Sequence, residues 1–439
     1  MSGLSAKNLA TESPSEEPAY RWIVAQEGTR QGYAVPIAFH RLGMLRLFYA
    51  DIWCRWGRSL LRRGSAGPRA LATHFNAELP ADRVVAFNLR AIADRVGQHF
   101  RGQFLSPVER ADHYCRYGQW FATQVRNHLE TMELDPWVDH FFGFNTNCLE
   151  TLELLRSYQI LTVVDQVDPG VIEEEIVLAE AERWPGWAKV PGRLPSSYWE
   201  RLKAEWKAAD LVLVNSKWSA DALTQQGIPS EKIITVPLAI DIPKGHLSMP
   251  IKTSGNLKVL WLGSLILRKG IQYLAEAAWK LEPRNIEFLL AGPIGISDAA
   301  IRSFPSNMRF LGRVTRDQLG EIYRQAHVFV LPTISDGFAV TQLEAMVHGL
   351  PVITTPNCGE VVSDGVDGFV VPARDSQALA DALARLNDDR ALLREMSGNC
   401  LAKALKYDLP SNARFINRAV FQFLHGKAKR DVPAHTAAK

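Results

Sequence analysis

Two cations follow an apolar, strand-like run in the C-terminal half of the sequence. In GSLILRKG (263–270), a predicted strand ends at Gly263, and Arg268 and Lys269 come just before a predicted helix that begins at Gly270. Cations at such a turn can neutralise a diphosphate through charge-assisted hydrogen bonds. The alternative is a pair of solvated charges, although cations at a helix start oppose the helix dipole. The loop by itself does not decide between the two.

A second candidate element is PTISDGFAVTQLEAM (332–346), where a predicted strand ends at Pro332 and a helix begins near Ala339. Free backbone N–H groups at a helix start bind anions. A carboxylate such as Asp336 or Glu344 can accept paired hydrogen bonds from vicinal sugar hydroxyls. The alternative is a capping acid and a solvated glutamate, but Glu344 lies in an apolar stretch and a buried glutamate needs a partner. The predicted amide donors are Gly337, Phe338, Ala339 and Val340.

Two further loops carry weaker signals. GRVTRDQL (312–319) could present Arg313 and Val314 to a nucleobase, although from this segment alone we favour an ordinary loop. In the N-terminal half, VVDQVDPG (163–170) ends a predicted strand with three polar candidates, and a structural turn is the competing interpretation. Arg30 in EGTRQGY could bind acceptor or phosphate, or could be a solvated loop residue. The three polar candidates are Asp165, Gln166 and Asp168, of which we select Asp165.

The elements that must position these residues follow an alternating strand–helix pattern. Such alternation predicts βαβ units with parallel sheets, and the nearly all-apolar strands indicate helices on both faces. Two such units predict a cleft between the carboxyl ends of their strands, where open α/β sheets bind ligands. The predicted strands are 20–26, 159–166, 210–216, 232–238, 257–263, 286–292, 308–312, 328–332, 351–355 and 368–372.

The same pattern predicts the domain organisation. We predict one N-terminal and one C-terminal Rossmann-like domain. An amphipathic C-terminal helix needs an apolar partner and is a candidate to cross back to the N-terminal domain. The predicted segments are a disordered lead-in at 1–20, domains at 21–242 and 257–408, a linker at 243–256, the helix at 409–427 and a flexible tail at 428–439.

Composition narrows the class of protein. A length of 439 residues suggests two or three domains, and a net charge of +3 does not argue for nucleic acid. Five scattered cysteines without CxxC spacing indicate reduced thiols in a cytoplasmic protein, not a disulfide frame or zinc site. We find no apolar run near the ~18 residues of a membrane span.

Residues 40–64 hold six arginines and one aspartate among apolar side chains. This composition suits a helix that lies on an anionic membrane surface, which would make the protein peripheral at the inner face of the membrane. The alternative, which we favour modestly, is an amphipathic helix packed on the N-terminal sheet.

The run from Val259 to about Leu386 resembles the group-1 domain of family 4 retaining glycosyltransferases, which have the two-domain GT-B fold. The resembling motifs occur in the order GSLxxRKG, AGPIG, FLGRV, PTxxDGFAVTQLEAMVHGLPVITT and DGVDGFVVP. They cover roughly a third of the chain and are far more specific than a lone glycine loop. The segment 210–241 also resembles the element that closes such an N-terminal domain.

The resemblance implies that the N-terminal domain is an acceptor domain and the C-terminal domain a nucleotide-sugar domain, and it implies roles for individual residues. It implies that Lys269 binds the donor phosphates and that Glu344 holds the ribose hydroxyls. It implies that Asp336 contacts the transferred sugar and that Arg313 and Val314 contact the base. The backbone donors to phosphate and sugar would be Gly337, Phe338 and Ala339.

The sequence departs from the family at two positions. Asp336 stands where a glutamate is common, which puts sugar preference or reach in doubt. Ser264, after Gly263, stands where an arginine is common, and we expect Arg268 to supply the missing charge.

We therefore predict a metal-independent, retaining hexosyltransferase without a cofactor, whose donor is a UDP- or GDP-sugar and whose acceptor is a glycan, a lipid-linked sugar or a small molecule. Transition-state charge on the departing diphosphate would be stabilised by preorganised cations and amides. One alternative is a non-catalytic GT-B protein that binds sugar or nucleotide. A second is a dinucleotide-dependent oxidoreductase, ranked low because no GxGxxG follows the first strand of either unit.

Overall fold

The computed structural model describes residues 20–64, 66–101, 106–188, 192–242 and 255–430. Apart from Tyr20, the predicted lead-in lies outside these residues, as does the predicted linker apart from its last two residues. The end of the predicted tail, 431–439, also lies outside them.

Strands in the first half of the chain form one parallel sheet. Its order is β3-β2-β1-β4-β5-β6-β7, and every pairing in it is parallel. Long apolar side chains from both faces are buried, as expected for a sheet covered by helices on both sides. The strands are β1 (Arg21–Gln26), β2 (Leu45–Ala50), β3 (Val84–Ala86), β4 (Asp139–Phe144), β5 (Leu161–Asp165), β6 (Leu211–Val214) and β7 (Ile233–Thr235).

The helices of this half precede or follow those strands in βα alternation. They are α1 (Ala34–Arg41), α2 (Arg58–Leu61), α3 (Ala66–Leu71), α4 (Asn88–Arg101), α5 (Pro107–Leu129), α6 (Leu149–Ser157), α7 (Val171–Arg183), α8 (Ser196–Ala208) and α9 (Lys217–Gln225).

The second half forms another parallel sheet, of order β10-β9-β8-β11-β12-β13. All six strands predicted for this half are present. They are β8 (Leu257–Leu262), β9 (Ile286–Ala291), β10 (Met308–Gly312), β11 (Val328–Leu331), β12 (Val352–Thr354) and β13 (Gly368–Val370). The helices are α10 (Ile271–Lys280), α11 (Asp298–Arg302), α12 (Arg316–Gln325), α13 (Thr341–Val347), α14 (Ser376–Asp388), α15 (Arg390–Ala404) and α16 (Leu409–Arg430).

The last helix returns to the N-terminal sheet, as predicted. Leu409, Ala413, Ile416 and Val420 are buried in the same hydrophobic cluster as α1 and the N-terminal strands. The two-sheet α/β architecture with a crossing C-terminal helix is therefore confirmed. The helix extends to Arg430, slightly beyond the predicted end.

Both helical interpretations of residues 40–64 are wrong. The segment contains the end of α1, the whole of β2 and the short helix α2. β2 lies between β1 and β3, where Leu45, Phe48 and Tyr49 are buried. Its apolar residues are therefore committed to the sheet, and the arginines of β2 and α2 do not share one helical face.

Candidate active site

The predicted cation pair lies on a single turn at the carboxyl end of β8. Residues Leu267–Lys269 form a 3-10 turn, which ends at Gly270 with φ +81°. A Cβ atom on Gly270 would lie 1.8 Å from the carbonyl oxygen of Pro332, so this turn abuts the end of β11. Ile334 N–H donates to the Arg268 carbonyl at 2.9 Å, which ties the turn to the loop that follows β11.

Both cations have carboxylate partners. Lys269 forms an ion pair with Asp336. Arg268 donates to Glu173 at 3.2 Å and to the Ser335 carbonyl at 2.8 Å. The side chains of Arg268 and Lys269 are only 22% and 18% exposed, which excludes the solvated-charge alternative.

The electrostatics of this pair follow from burial. Burial, and then the adjacent Arg268 charge, lowers the pKa of Lys269, so that the ammonium needs an anionic partner to stay charged. Burial raises the pKa of Glu173, and the Arg268 charge opposes that shift. Each cation thus sits in a partly buried position where an anion is favoured.

The loop after β11 presents backbone donors beside these cations. The Asp336 N–H donates to the carbonyl oxygen of Asn357 at 2.9 Å, which fixes the start of the loop. Ala339 has φ +59°, and α13 begins two residues later than Ala339, at Thr341. Four further backbone N–H groups of this loop donate no hydrogen bond within the described residues. They are those of Gly337, Phe338, Ala339 and Val340.

Glu344 lies in the first turn of α13, which follows the loop that carries Asp336. Its carboxylate accepts a hydrogen bond from the Tyr323 hydroxyl at 2.9 Å. The Tyr323 ring stacks on His348 with a centroid distance of 4.6 Å. Glu344 is half-buried, so it is not the freely solvated helix glutamate of the alternative interpretation.

The remaining candidate residues of the C-terminal half differ in their burial and in how closely they approach this loop. Val314 and Ala339 pack against the same hydrophobic cluster, which places the loop after β10 near the start of α13. Arg313 is exposed. Gly263 closely approaches the next loop of the sheet, since a Cβ on Gly292 would lie 1.9 Å from the Gly263 oxygen. Ser264 is half-buried, and its carbonyl accepts from Ile266 N–H.

Asp165 lies at the end of β5 and is buried. Its Oδ1 atom has no hydrogen-bond partner within the described residues. Burial raises the pKa of Asp165 to about 6, while the Arg30 charge lowers it. Asp165 shares a small cavity with residues of α1 and α16, and no hydrogen bond or ion pair among the described residues joins it to Lys269 or Asp336.

Its neighbours Gln166 and Asp168 build a turn. Gln166 donates to Asp168 Oδ1 at 2.9 Å and accepts from Trp206 at 2.9 Å. Asp168 also accepts from Gly170 N–H at 2.9 Å. These contacts fit the structural-turn interpretation. Arg30, the other N-terminal candidate, lies 5.2 Å from the ring centroid of Phe144.

This N-terminal turn touches the C-terminal site directly. A Cβ on Gly337 would lie 2.0 Å from the carbonyl oxygen of Val167, so a larger residue could not occupy that position without a shift. The two loops at the carboxyl ends of β5 and β11 therefore meet, and the predicted cleft between the sheets lies beside the Lys269–Asp336 pair.

Two glutamates of α7 were not among the predicted site residues. Glu173 reaches across to Arg268, and its carboxylate also accepts from Ser335 Oγ at 2.9 Å. Glu180 is buried, pairs with Arg374, and accepts from Gln272 at 3.0 Å and Tyr273 at 3.1 Å. The signal available in the sequence was a run of acids on one helix, VIEEEIVLAE, which does not indicate a partner in another domain.

Comparison with known proteins agrees with this architecture. Residues 256–389 match the family described as glycosyl transferases group 1. The chain is 29% identical over 343 residues to WcaL of Salmonella typhimurium, described as a colanic acid biosynthesis glycosyltransferase, covering 72% of this chain and 77% of WcaL. It is 26% identical over 198 residues to the amylovoran biosynthesis glycosyltransferase AmsK of Erwinia amylovora, covering 42% of this chain and 48% of AmsK, about half of that relative's length.

Solved structures share the whole two-sheet arrangement. Sucrose-phosphate synthase from Thermosynechococcus elongatus superposes with a TM-score of 0.62 at 15% identity, over 92% of this chain and all of that protein. Anabaena HepE, solved in complex with UDP and glucose, gives a TM-score of 0.55 at 15% identity with the same coverage of this chain. At this identity the likeness establishes the fold, which is GT-B.

Residues 256–389 therefore match a group 1 glycosyl transferase domain, within a chain that has the GT-B fold. The named relatives make the chain similar to known glycosyltransferases. The predicted resemblance to group 1 is confirmed, and the assignment to family 4 stays a prediction.

Proposed function

We propose that this chain transfers a hexose-type sugar, with retention of configuration and without a metal, from a nucleotide diphosphate sugar to a glycan or lipid-linked acceptor. The observation that carries the proposal is the meeting of Lys269, Arg268 and the unpaired amides of residues 337–340 on one edge of the C-terminal sheet. Charge that develops on a departing diphosphate is best stabilised by such fixed donors.

Asp336 and Glu173 form ion pairs with the two cations that the diphosphate would contact. A donor pyrophosphate would take over the contacts of Lys269 and Arg268, since charge-assisted hydrogen bonds to phosphate are strong. Asp336 would then be free to bind hydroxyls of the transferred sugar. Glu344, half-buried beside Tyr323, would accept hydrogen bonds from the ribose hydroxyls.

The comparisons favour UDP as the donor nucleotide. HepE was solved with UDP and glucose, and one relative, from Escherichia coli, is named as using UDP-Gal with a diphosphoundecaprenol-linked acceptor. That relative is 26% identical over 58% of its own length. On this basis we favour a UDP-sugar over a GDP-sugar, and a lipid-linked or polysaccharide acceptor over a small molecule.

The donor site is tested by titrating UDP, GDP and ADP calorimetrically into the wild-type protein, Lys269→Ala and Glu344→Ala. Loss of Lys269 should weaken binding of the preferred diphosphate by about 1.5–3 kcal/mol, or roughly 10- to 100-fold, since it removes a charged hydrogen bond. The matched control is Lys217→Ala, at an exposed lysine on α9.

Glu344 is tested by its selectivity for the ribose. The wild-type protein should bind UDP more tightly than 2′-deoxy-UDP by about 1 kcal/mol, and Glu344→Ala should bind the two equally. Equal discrimination in both proteins would place the ribose elsewhere.

The activity itself is tested by incubation with nucleotide sugars. Release of UDP that depends on Lys269 supports the transferase. Nucleotide binding without turnover of any UDP- or GDP-sugar would instead favour a non-catalytic, nucleotide-binding GT-B protein.

We also propose that the protein works at the cytoplasmic face of a membrane. Trp56 and Leu60 are 80% and 76% exposed, and Arg55, Arg62 and Arg63 are exposed beside them. Exposed apolar side chains interleaved with arginines suit an anionic lipid surface. Among the described residues, no helix has the length and apolar character needed to cross a bilayer.

A further inference from the structure

Several buried polar atoms without partners gather at the carboxyl end of the N-terminal sheet. Within the described residues, no hydrogen bond satisfies Glu27 Oε2, Tyr33 OH, His74 Nδ1 or Asn147 Oδ1. A buried polar atom that lacks a partner costs about 1–3 kcal/mol. Such a concentration of unsatisfied atoms in one place therefore indicates a ligand or ordered water that completes the hydrogen bonds.

Two carboxylates organise this cluster. Asp51, at the end of β2, accepts from Gly28 N–H and from the Tyr117 hydroxyl, each at 3.0 Å. Glu27, just after β1, lies near Asp51 and Asn147, and both influence the pKa of its carboxyl group. The loops after β1, β2 and β4 thus converge on one polar site.

Helices α4 and α5 cover the site with polar side chains. Arg95 of α4 contacts His74 Nε2 at 2.5 Å, and Asp94 contacts His113 of α5 at 3.1 Å. α5 comes close to the loop after β4, since a Cβ on Gly118 would lie 2.3 Å from the Thr146 oxygen. Tyr114, on the same face of α5, is 46% exposed and forms the solvent-facing edge of the site.

The charge of the site argues against an anionic ligand. Two carboxylates, Asp51 and Asp94, lie beside one guanidinium, Arg95. Burial, and then Asp51, raises the pKa of Glu27 to about 8, so Glu27 is largely protonated at neutral pH and gives a phosphate no positive partner. A phosphate would be repelled here. An uncharged sugar can donate hydroxyls to the oxygen acceptors and accept hydrogen bonds from the Tyr33 hydroxyl and from His74 Nδ1–H, which carries the ring proton because Nε2 accepts from Arg95.

We infer that Glu27, Tyr33, His74 and Asn147 form a binding subsite for an uncharged sugar ring of the acceptor, organised by Asp51. This inference rests on the proposed transferase function. The subsite lies on the same sheet edge as Asp165 and the Val167 loop, which meets Gly337. A ring bound there would stand across the cleft from the donor phosphates.

The test uses saturation-transfer NMR on the full chain with UDP present. The probes are the methyl glycosides of glucose, galactose, mannose and N-acetylglucosamine. At least one should bind the wild-type protein. Tyr33→Phe removes one hydroxyl, and Glu27→Leu removes the carboxylate, so each should weaken that binding by about fivefold or more. Tyr158→Phe, at an exposed tyrosine of the same domain, is the control and should have no effect.

Stability provides a second readout that does not depend on the ligand. Tyr33→Phe should not lower the unfolding temperature, because the hydroxyl that it removes has no partner in the described residues. This variant therefore keeps the test decisive even if Glu27→Leu does not fold. UDP affinity should stay within twofold of wild type in Tyr33→Phe, since Tyr33 belongs to the N-terminal core whereas the proposed phosphate contacts lie on the C-terminal sheet.

Two results would overturn the inference. One is that no glycoside binds the wild-type protein, which leaves ordered water as the sole occupant of the site. The other is that a glycoside binds equally well to wild type, Tyr33→Phe and Glu27→Leu. In either case, retained UDP binding and donor turnover would leave the proposed transferase standing, whereas loss of UDP binding in the wild-type protein would refute that function instead.

Discussion

At the scale of single residues, the site retains side chains that the fold alone would not favour. Asp165 is buried with an unpaired carboxylate oxygen, and Ala339 adopts φ +59°. Lys269 and Arg268 hold like charges side by side and depend on carboxylates from elsewhere in the chain. Local costs of this kind cluster at functional sites, where the surrounding structure must maintain them.

Asp165→Asn should stabilise the protein at neutral pH. The folded-state pKa of about 6 lies above the ordinary aspartate pKa of 3.8, so between these values the folded state binds more protons and stability falls as pH rises. The shift corresponds to roughly 3 kcal/mol above pH 6, and the amide would avoid that cost. Urea unfolding at pH 7.5 and at about pH 4 should show a gain at the higher pH that shrinks at the lower.

The same variant separates a structural from a functional role for Asp165. If Asp165 acts in transfer, Asp165→Asn should be more stable and less active. Full activity in a stabilised variant would remove Asp165 from the catalytic residues. Asp381→Asn, at an exposed aspartate of α14, should leave stability and its pH dependence unchanged.

At the scale of elements, the close approach of two loops determines the geometry of the cation turn. Gly270 and Gly312 both have a left-handed backbone, with φ +81° and +69°. A Cβ on Gly270 would lie 1.8 Å from the Pro332 oxygen, whereas one on Gly312 would meet nothing within 4 Å. The two glycines therefore differ in packing and not in backbone conformation.

Gly312→Ala should cost about 1–2 kcal/mol of unfolding free energy from left-handed strain alone. Gly270→Ala should cost about 1–3 kcal/mol more, because the turn must move away from β11. The effect of alanine on the unfolded chain is the same in both variants and cancels in the comparison. Urea unfolding measures both, and equal losses would contradict the inferred approach of the loops.

Sequence patterns predicted some strands and missed others. The two groups differ in whether charged side chains within the strands need partners from elsewhere in the chain. The strands of the C-terminal sheet are nearly all apolar, so their pattern is local and readable. β2 and β4 carry Arg46 and Asp139, which pair with each other only after the strands are assembled. A charge that is neutralised by a distant strand makes the apolar pattern of its own strand harder to recognise, as in LRLFYA and DHFFGF. The membrane-helix interpretation of 40–64 was wrong for this reason.

In the candidate site, too, the predictable residues were those whose positions follow from one local pattern. Lys269 follows β8, whereas Asp336 and the amide loop follow β11. These strands are neighbours in one parallel sheet, so the proximity of the two loops follows from parallel topology. Glu173 and Glu180 approach from another domain, and no local pattern indicates that contact. Glu27 and Asp51 are isolated acids, and the strand that positions Asp51 was not predicted. Contacts made by single residues across large sequence separations were thus the ones missed.

At the scale of the whole molecule, α7 joins the two sheets through Glu173 and Glu180. Trp187, just after this helix, packs against the C-terminal core, and its carbonyl accepts from Ser297 N–H at 2.7 Å. α7 follows β5 in the chain, yet these two glutamates form ion pairs with the C-terminal domain. Glu173 forms an ion pair with the Arg268 guanidinium. A bound diphosphate would therefore compete with this contact between the domains for the same guanidinium.

The exposed patch of Arg55, Trp56, Leu60, Arg62 and Arg63 lies beyond the carboxyl end of β2, on the side of the sheet where its neighbours carry the polar subsite. Membrane attachment there would bring a lipid-linked acceptor to the cleft. Basic residues near an anionic surface contribute about 1 kcal/mol each, so binding should require anionic lipid and weaken in salt.

Sedimentation with phosphatidylcholine vesicles, with and without phosphatidylglycerol, measures this attachment. The wild-type protein should bind only the anionic vesicles, and the double variant Trp56→Ser/Leu60→Ser should bind at least about tenfold more weakly, because two apolar anchors are lost. The matched control is Trp137→Ser. Trp137 is 86% exposed but precedes β4, at the opposite edge of the same sheet. Equal losses in the two variants would show that exposed tryptophan, and not this patch, governs vesicle binding, and no binding by wild type would refute the membrane proposal.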